Sequence, residues 1–314
     1  MYNKMKSSLF SIQGNNDGIN NENVTPRSYQ SHYNDKSKQT ALSLLSLLPS
    51  LLIFNSPKEV YAAGTSGGIT VLGSGGKTGK LIVEGLQKSG NKVKPTYRGN
   101  PPMFSNNDFI LEPAKADVKS VDSLVEAISG SSAVIFAASA SSKGGNAKEV
   151  DYLGVENTAA ACIKAGVPRL VVISSAAVTK PNSLGYKITN LFGNIMDYKL
   201  QGETAMAKAY AAAPDLGFVV IRPGGLTDGT PAGATEMELN QGDTIAGEVK
   251  RSDVAEAAIA AALSKNIAKN VVFELYEKKT RGQLEGKFSE KSGYEQSGES
   301  YEMMFKGLKS GISS

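Results

Sequence analysis

The stretch ITVLGSGGKTG at residues 69–79 joins a short run of aliphatic and β-branched residues to a loop rich in glycine. Its first four residues predict a buried strand, and the following residues 80–90 have the apolar spacing of a helix. Between these elements, Gly73, Gly76 and Gly79 form the spacing G-x-x-G-x-x-G. Glycines in such a turn let the backbone approach a pyrophosphate, and a helix N-terminus attracts phosphate. We therefore predict a dinucleotide-binding loop here.

The charge at the end of the next strand bears on which cofactor this loop would take. A second run with strand character, residues 92–97, is followed directly by Arg98. A site for NAD usually has an acidic residue there, whereas an arginine can pair with the 2′-phosphate of NADP. Lys77 and Thr78 lie in the glycine loop itself, and we expect both in the cofactor site. The sequence therefore favours NADP(H), with a solvated strand-end arginine as the alternative interpretation of Arg98.

Strand and helix patterns alternate along the rest of the chain. Further strands are predicted at residues 109–111, 133–138, 169–175, 217–221 and 271–275. Helices are predicted at residues 121–128, 150–165 and 199–213, and one more begins with Ser252 or Asp253 as its N-cap. Residues 180–195 are predicted to be irregular. This alternation predicts an α/β fold with a doubly wound parallel sheet of the Rossmann type.

The carboxyl ends of these strands carry small and hydroxyl side chains. Ligands of open α/β sheets bind beyond the carboxyl ends of the strands. Ala138 ends one predicted strand and leaves room for a cofactor, and Ser174 and Ser175 end another. We therefore expect these residues to border the cofactor.

The composition excludes several kinds of chemistry. The chain has one cysteine, Cys162, and one histidine, His32, so it has neither an internal disulfide nor a Cys/His zinc site. Its 34 basic and 30 acidic residues are nearly balanced, and no basic stripe with interleaved aromatics is present, which excludes nucleic acid as an expected partner. Cys162 is expected to be a packed core residue. Acid–base chemistry is left to Tyr, Lys, Asp, Glu, Ser or water.

The first 63 residues differ from the rest of the chain. Residues 1–40 are polar, residues 41–54 form a hydrophobic stretch, and small residues of the cleavage-site type follow at 60–63. This layout predicts a cleaved targeting presequence and a plastid location, in the stroma or at the thylakoid. The alternative is a disordered leader whose short hydrophobic helix packs on the domain.

The domain predicted at residues 64–276 is followed by a polar tail, residues 277–314. Within the tail, apolar residues recur at helical spacing. They are Tyr301, Met304, Phe305 and Leu308. Two interpretations stay open: a short helix docked on the domain, or a helix that binds a partner, including a membrane complex.

Seven motifs occur in the order found in one known family. They are GSGGKTG, YRGN, ADV, VDYLGVENT, AGVPRLVVISS, IRPGGLTD and RSDVAEA. Over residues 69–276 the chain resembles the atypical short-chain dehydrogenase/reductases, in the NmrA-like and flavin/biliverdin-reductase-like branch with its plastid members. The resemblance implies that the three glycines hold the pyrophosphate, Arg98 the 2′-phosphate and Asp117 the adenine side. It also implies a position beside the nicotinamide for Ser174 and Ser175.

The chain departs from the family pattern at the catalytic tyrosine. Lys199 matches the lysine that conventional members place four residues after a tyrosine, but position 195 is Ile195. No tyrosine of the predicted domain precedes a lysine by four residues. The tyrosine that serves as the general acid in conventional members, with its pKa lowered by this lysine, is therefore absent from its usual position. Ser174, Lys199 and Tyr186 are the catalytic candidates that remain, with Tyr186 or water as the source of a proton.

Two functions are consistent with this pattern. The first is an NADPH-dependent oxidoreductase acting on a planar acceptor such as a quinone or flavin, for which hydride transfer needs less help from an acid. The second is a non-catalytic NADP(H)-binding scaffold, sensor or assembly factor in a plastid complex. The partner is accordingly a small-molecule acceptor or a protein complex, since fold alone does not fix function.

Overall fold

Strands and helices alternate in the structure as the sequence pattern predicts. The computed structural model describes residues 67–105, 108–140, 145–191, 193–284 and 295–311, all within one compact unit. The predicted presequence and its cleavage site lie outside the described residues.

The elements have the following bounds. The strands are β1 (Ile69–Leu72), β2 (Val93–Tyr97), β3 (Ala114–Lys115), β4 (Ala133–Phe136), β5 (Arg169–Ile173), β6 (Gly217–Pro223), β7 (Gly225–Thr227), β8 (Met237–Asn240), β9 (Ile245–Ala246), β10 (Glu248–Lys250), β11 (Val271–Glu277) and β12 (Gly282–Gln283). The helices are α1 (Lys77–Lys88), α2 (Val121–Ile128), α3 (Leu153–Ala165), α4 (Leu184–Asn190), α5 (Ile195–Tyr210), α6 (Arg251–Leu263) and α7 (Tyr301–Phe305).

One large sheet organises these elements. Its strand order is β3-β2-β1-β4-β5-β6-β11-β8. Neighbouring strands are parallel, except that β8 pairs antiparallel with β11. The chain moves outward from β1 to β3 and then returns to place β4 on the other side of β1. This reversal opens a crevice at the carboxyl ends of β1 and β4, the usual ligand position. The predicted doubly wound, Rossmann-type sheet is thereby confirmed.

Helices cover both faces of the sheet, which is why β1 and β4 are buried along their whole length. Successive side chains point to opposite faces. Val71 and Ile135 pack with side chains of α1 and α6, whereas Leu72 and Phe136 pack with those of α2 and α3. Cys162 lies in this second cluster, and burial raises the pKa of its thiol to about 12. The sequence-based expectation of a core cysteine is confirmed.

The C-terminal helix α7 packs on the same domain. Its apolar residues are buried in the cluster that also contains α6, and the ring centroids of Phe273 and Phe305 are 5.8 Å apart. The docked interpretation of this segment therefore accounts for its apolar face. Met303, on the other side of the helix, is 52% exposed. In the described part of the chain, no helix has the length and apolar character needed to span a membrane.

Three sequence-based predictions of local structure are wrong. The third strand is β3 at residues 114–115, and Ile110 makes only an isolated bridge to Val93. The stretch predicted to be irregular contains α4, whose N-cap Ser183 accepts a hydrogen bond from the Tyr186 amide. Asp253 does not cap α6.

Asp253 has a different structural role. It lies inside α6, whose N-cap is Lys250. Its carboxylate accepts hydrogen bonds from the backbone N–H groups of Ala232 and Gly233 at 3.0 and 2.9 Å. A buried carboxylate needs such partners, and here they fix the loop between β7 and β8 on the helix.

Candidate dinucleotide and acceptor site

The glycine loop is held tightly against the end of β4. Gly73 has a φ of +83°, and a Cβ there would lie 2.6 Å from the backbone nitrogen of Ala138. A Cβ on Gly79 would lie 2.1 Å from the carbonyl oxygen of Gly73. The Gly76 amide donates to that same oxygen at 3.0 Å and closes the turn. The structure thus brings Gly73 and Ala138 together, and any side chain at Gly73 or Gly79 would collide with backbone.

The loop leaves the start of α1 open. No side chain caps the helix and its first turn has no acidic residue. The first amides of a helix lack intrahelical partners and carry a partial positive charge. Ser74 ties the loop to the next strand, because its hydroxyl donates to the Thr96 carbonyl at 2.7 Å. These residues therefore fit the pyrophosphate of a dinucleotide, which would accept hydrogen bonds from the amides that follow Gly76.

A cleft of about 490 Å³ lies on the expected adenine side, beyond the end of β2. It is lined by the ends of β2 and β3 and by α2, and its residues include Arg98, Lys115 and Asp117. Arg98 and Lys115 are exposed, and neither forms an ion pair or hydrogen bond with the described residues. Two cations without an ion pair in the described part of the chain suit a phosphate group, and the same cleft also contains the carboxylates of Asp117 and Glu126. The sequence singled out Arg98 and Asp117 but missed Lys115, because the position of β3 was predicted incorrectly.

Lys77 contributes its charge to another part of the site. Its ammonium lies 3.2 Å from Asp228, which also pairs with Arg251 at 2.6 Å. These two cations hold the pKa of Asp228 below its usual range through hydrogen bonds. Lys77 therefore links the glycine loop to the segment after β7 instead of reinforcing the charge of Arg98. Thr78 is half-buried beside it.

Lys199 is fixed by a buried carboxylate. Its Nζ lies 2.8 Å from Oδ1 of Asp151, and the Lys199 side chain is only 11% exposed. Asp151 also accepts hydrogen bonds from the Ser139 hydroxyl and the Ala140 amide, both at 2.8 Å. A carboxylate with three donors holds the lysine in one place at the carboxyl end of β4. Sequence reasoning found Lys199 but not Asp151, although Asp151 is part of the quoted motif VDYLGVENT.

Ser174 belongs to a buried ionic network. Its hydroxyl donates to Glu203, whose other oxygen lies 2.7 Å from Nη2 of Arg222. Arg222 is fully buried and also pairs with Glu274 at 3.4 Å. Burial alone would lower the pKa of Arg222, but the two carboxylates raise it above its usual range. Burial, with the nearby charge of Asp243, raises the pKa of Glu274 to about 8.

Ser174 and Lys199 are neighbours in space. They line the same small cavity of about 10 Å³, together with Asp151 and Glu203. That volume is close to the space of one water molecule. The structure thus assembles two of the three predicted catalytic residues at the carboxyl ends of β4 and β5. Ser175 has the less committed hydroxyl, since it is half-buried and, among the described residues, donates only to the Ala176 carbonyl at 3.2 Å.

Tyr186 is held in a separate cluster. Its ring is buried with Ala177, Val178 and Met196, and its hydroxyl donates to Asp197. Burial and the Asp197 carboxylate raise the pKa of Tyr186 to about 12. The phenol of a conventional family member has a lowered pKa instead. Tyr186 therefore lacks the acidity that the missing tyrosine would have had.

Three features define a dinucleotide-binding protein of the Rossmann type. They are the glycine turn against β4, the uncapped start of α1, and the cations Arg98 and Lys115, which form no ion pair with the described residues. Residues 73–265 match the family model of NAD(P)H-binding proteins, which is more than half of the chain. The chain belongs to this NAD(P)H-binding family, and the resemblance inferred from its motifs is confirmed at that level. A nicotinamide dinucleotide is accordingly the ligand of this site.

Similar proteins are found among plant sequences and bacterial structures. A chloroplastic protein of Arabidopsis thaliana, itself uncharacterized, is 33% identical over 216 residues, or 65% of this chain and 75% of the relative. The oxidoreductase ylbE of Lactococcus lactis has a TM-score of 0.55 at 20% identity, covering 68% of this chain and 91% of its own. The anaerobillin reductase ChuY of Escherichia coli O157:H7 has a TM-score of 0.53 at 20% identity, covering 68% and 98%. At such identities the structures support the fold alone.

Proposed function

We propose that the protein is an NADP(H)-dependent reductase of a planar acceptor such as a quinone or a flavin. The observation that carries this proposal is the fixed pair of Lys199 and Asp151 beside Ser174, at the carboxyl ends of β4 and β5. Folds of this kind bring the reactive end of the cofactor to that edge. Burying a lysine with its carboxylate costs desolvation free energy and adds little net stability. We therefore interpret the pair as a means of positioning the ammonium.

The preference for NADP(H) rests on the adenine-side cleft. Arg98 and Lys115 have no anionic partner among the described residues, so both are available to the 2′-phosphate. An acidic residue at the end of β2, which would favour the ribose hydroxyls of NAD, is not present at position 98.

The mechanism that we propose uses positioning more than acid catalysis. When bound, the cofactor supplies a hydride. The ammonium of Lys199 would donate hydrogen bonds to the ribose of the cofactor, and the Ser175 hydroxyl would orient the acceptor. The Ser174 hydroxyl is committed to Glu203 and holds the end of β5 in place. Water would deliver the proton, because the Tyr186 hydroxyl donates a hydrogen bond to Asp197 and its raised pKa makes it a weak acid.

A plastid location is part of the proposal. The similar Arabidopsis protein is chloroplastic, and the first 63 residues of this chain have the layout of a presequence. Sequencing the N-terminus of the native protein tests this, since a chain that still contains His32 would contradict cleavage near residue 63.

The direct test of the reductase function is turnover with a panel of acceptors. Purified protein is mixed with NADPH and, in turn, with quinones, flavins and simple ketones, and loss of NADPH absorbance is followed. Reduction of quinones or flavins that is faster than that of ketones supports the proposal. Tight binding of NADPH without turnover of any acceptor would favour the scaffold alternative, which the missing low-pKa tyrosine also favours.

Replacing Tyr186 by phenylalanine is expected to change quinone reduction by less than about threefold, well below the roughly 10²- to 10⁴-fold contribution of a general acid. The reason is that the Tyr186 hydroxyl is bound to Asp197 and has a raised pKa. Steady-state rates of the variant and the wild type provide the measurement. A loss above 100-fold with ketones would restore a conventional tyrosine mechanism.

A further inference from the structure

The helix α4 presents an apolar stripe to solvent. Leu184, Ile188 and Leu191 are 73%, 52% and 81% exposed. Their spacing of four and three residues places them on one face of the helix and its final turn. Tyr186, on the opposite side, is buried in the domain. Isolated exposed apolar residues are ordinary, but a contiguous set of them marks an interaction surface.

The exposed charges on the segment that carries the stripe are positive, and the nearest carboxylate, Asp197, accepts hydrogen bonds from Tyr186 and Asn190 of α4. Lys187 is exposed and, at helical spacing, lies at the edge of the stripe beside Leu184 and Leu191. Residues 176–196 contain two lysines, Lys180 and Lys187, and no acidic residue. Neither lysine forms an ion pair with the described residues. The stripe therefore combines apolar side chains with positive charge that has no internal partner.

We propose that α4 docks on a membrane surface that contains anionic lipid. In this arrangement the stripe of Leu184, Ile188 and Leu191 enters the headgroup region, and Lys187 and Lys180 pair with lipid phosphates. Interfacial helices bind through this combination of an apolar face and flanking cations. Three side chains bury little apolar area, so the contact is reversible. Because the rest of the attraction comes from the two lysines, salt weakens it.

A second copy of the chain fits the surface less well. A two-fold contact through α4 would place Lys187 of one protomer near Lys187 of the other, with no acidic residue of the segment to offset the repulsion. The stripe is also far smaller than the roughly 800 Å² per partner that a stable protein interface buries. An anionic lipid surface satisfies the charges that a second copy would oppose.

The position of α4 relates this docking to the proposed reductase function, on which this step of the inference rests. The helix lies in the chain between Ser174 at the end of β5 and Lys199 in α5. Docking would bring that edge of the sheet to the lipid phase, where apolar acceptors such as quinones accumulate. The lipid contact itself is measured without any acceptor, so its failure is distinguishable from a failure of the reductase function.

The test places an environment-sensitive fluorophore on the stripe of the full-length protein. Leu191→Cys supplies the attachment point, and Cys162 stays unlabelled because it is fully buried and its thiol pKa is raised to about 12. Met303→Cys, at a 52% exposed position on α7, is the matched control. Each labelled protein is mixed with vesicles of phosphatidylcholine alone or with added phosphatidylglycerol.

The expected result is a rise in emission of about twofold or more at position 191 with anionic vesicles, reduced by salt, with little change at position 303. Adding Leu184→Ser and Ile188→Ser to the position-191 label should abolish the rise. An unchanged signal at position 191, or an equal rise at both labels, would overturn the proposal. A rise that depends on protein concentration without vesicles would assign the stripe to a second copy and overturn it as well.

Discussion

The Gly73→Ala protein is expected to bind NADPH roughly 100-fold more weakly than the wild type, the equivalent of losing one or two charge-assisted hydrogen bonds. Position 73 has a φ of +83°, which costs a residue with a Cβ about 1–2 kcal/mol. The added methyl group would also lie 2.6 Å from the backbone nitrogen of Ala138. The loop has to move away from β4, and the amides at the start of α1 then no longer converge on the pyrophosphate.

Gly75→Ala is the matched control for this experiment. Gly75 is in the same loop and is exposed, but its φ is not positive and a Cβ there has nothing within 4 Å. Titration of NADPH against both variants, with thermal unfolding as a measure of folding, separates a local effect from a general one. Equal affinities of the two variants would show that the packing of Gly73 on Ala138 does not shape the cofactor site.

The Arg222→Met protein is expected to lose about 3–5 kcal/mol of folding free energy. The substitution keeps the apolar length of the side chain but removes the cation between Glu203 and Glu274. Both acidic side chains are buried, at 1% and 0% exposure, so Glu203 would lose its charged partner, and Glu274, whose pKa is about 8, would lose a hydrogen-bond donor. Urea denaturation followed by circular dichroism measures the change.

Two further variants make this prediction specific. Arg251→Met removes a cation that pairs with the well-exposed Asp228, and a much smaller loss is expected there. Adding Glu203→Gln and Glu274→Gln to Arg222→Met removes the unpaired charge of Glu203 and the ionisable group at position 274, and should recover part of the lost stability. A loss for Arg222→Met below about 1 kcal/mol, the range of a surface pair, would contradict the account of the network.

Much of the fold could be predicted because its signals are local. The helix at 121–128 is found at its predicted bounds, since its apolar period and its cap Ser120 lie within one short stretch. Helix α4 was missed because it has only seven residues, including Gly185 and Asn190, and such short elements depend on tertiary contacts. Strand β3 was displaced because it has only two residues, and its position is set by pairing with β2.

The candidate site likewise has residues that the sequence predicts and contacts that it does not. The glycine loop and Arg98 follow from motif spacing next to a strand; the loop packs on the end of β4, and Arg98 lines the cleft beyond β2. The contacts of Lys199 with Asp151, and of Ser174 with Glu203, join residues 48 and 29 positions apart in the chain. Which carboxylate meets which cation depends on how the helices pack on the sheet. Neither periodicity nor composition carries that information.

The most direct test of the NADP(H) assignment is the ratio of the dissociation constants for NADPH and NADH, measured for the wild type and for Arg98→Ala. Lys92→Ala, which removes an exposed cation just before β2, is the control. The wild type and the control should prefer NADPH by roughly 10- to 100-fold, as one charge-assisted contact to the 2′-phosphate would supply. Arg98→Ala should lose most of that preference through weaker NADPH binding, with NADH binding unchanged. A wild type without a preference, or an Arg98→Ala protein that keeps it in full, would contradict the assignment.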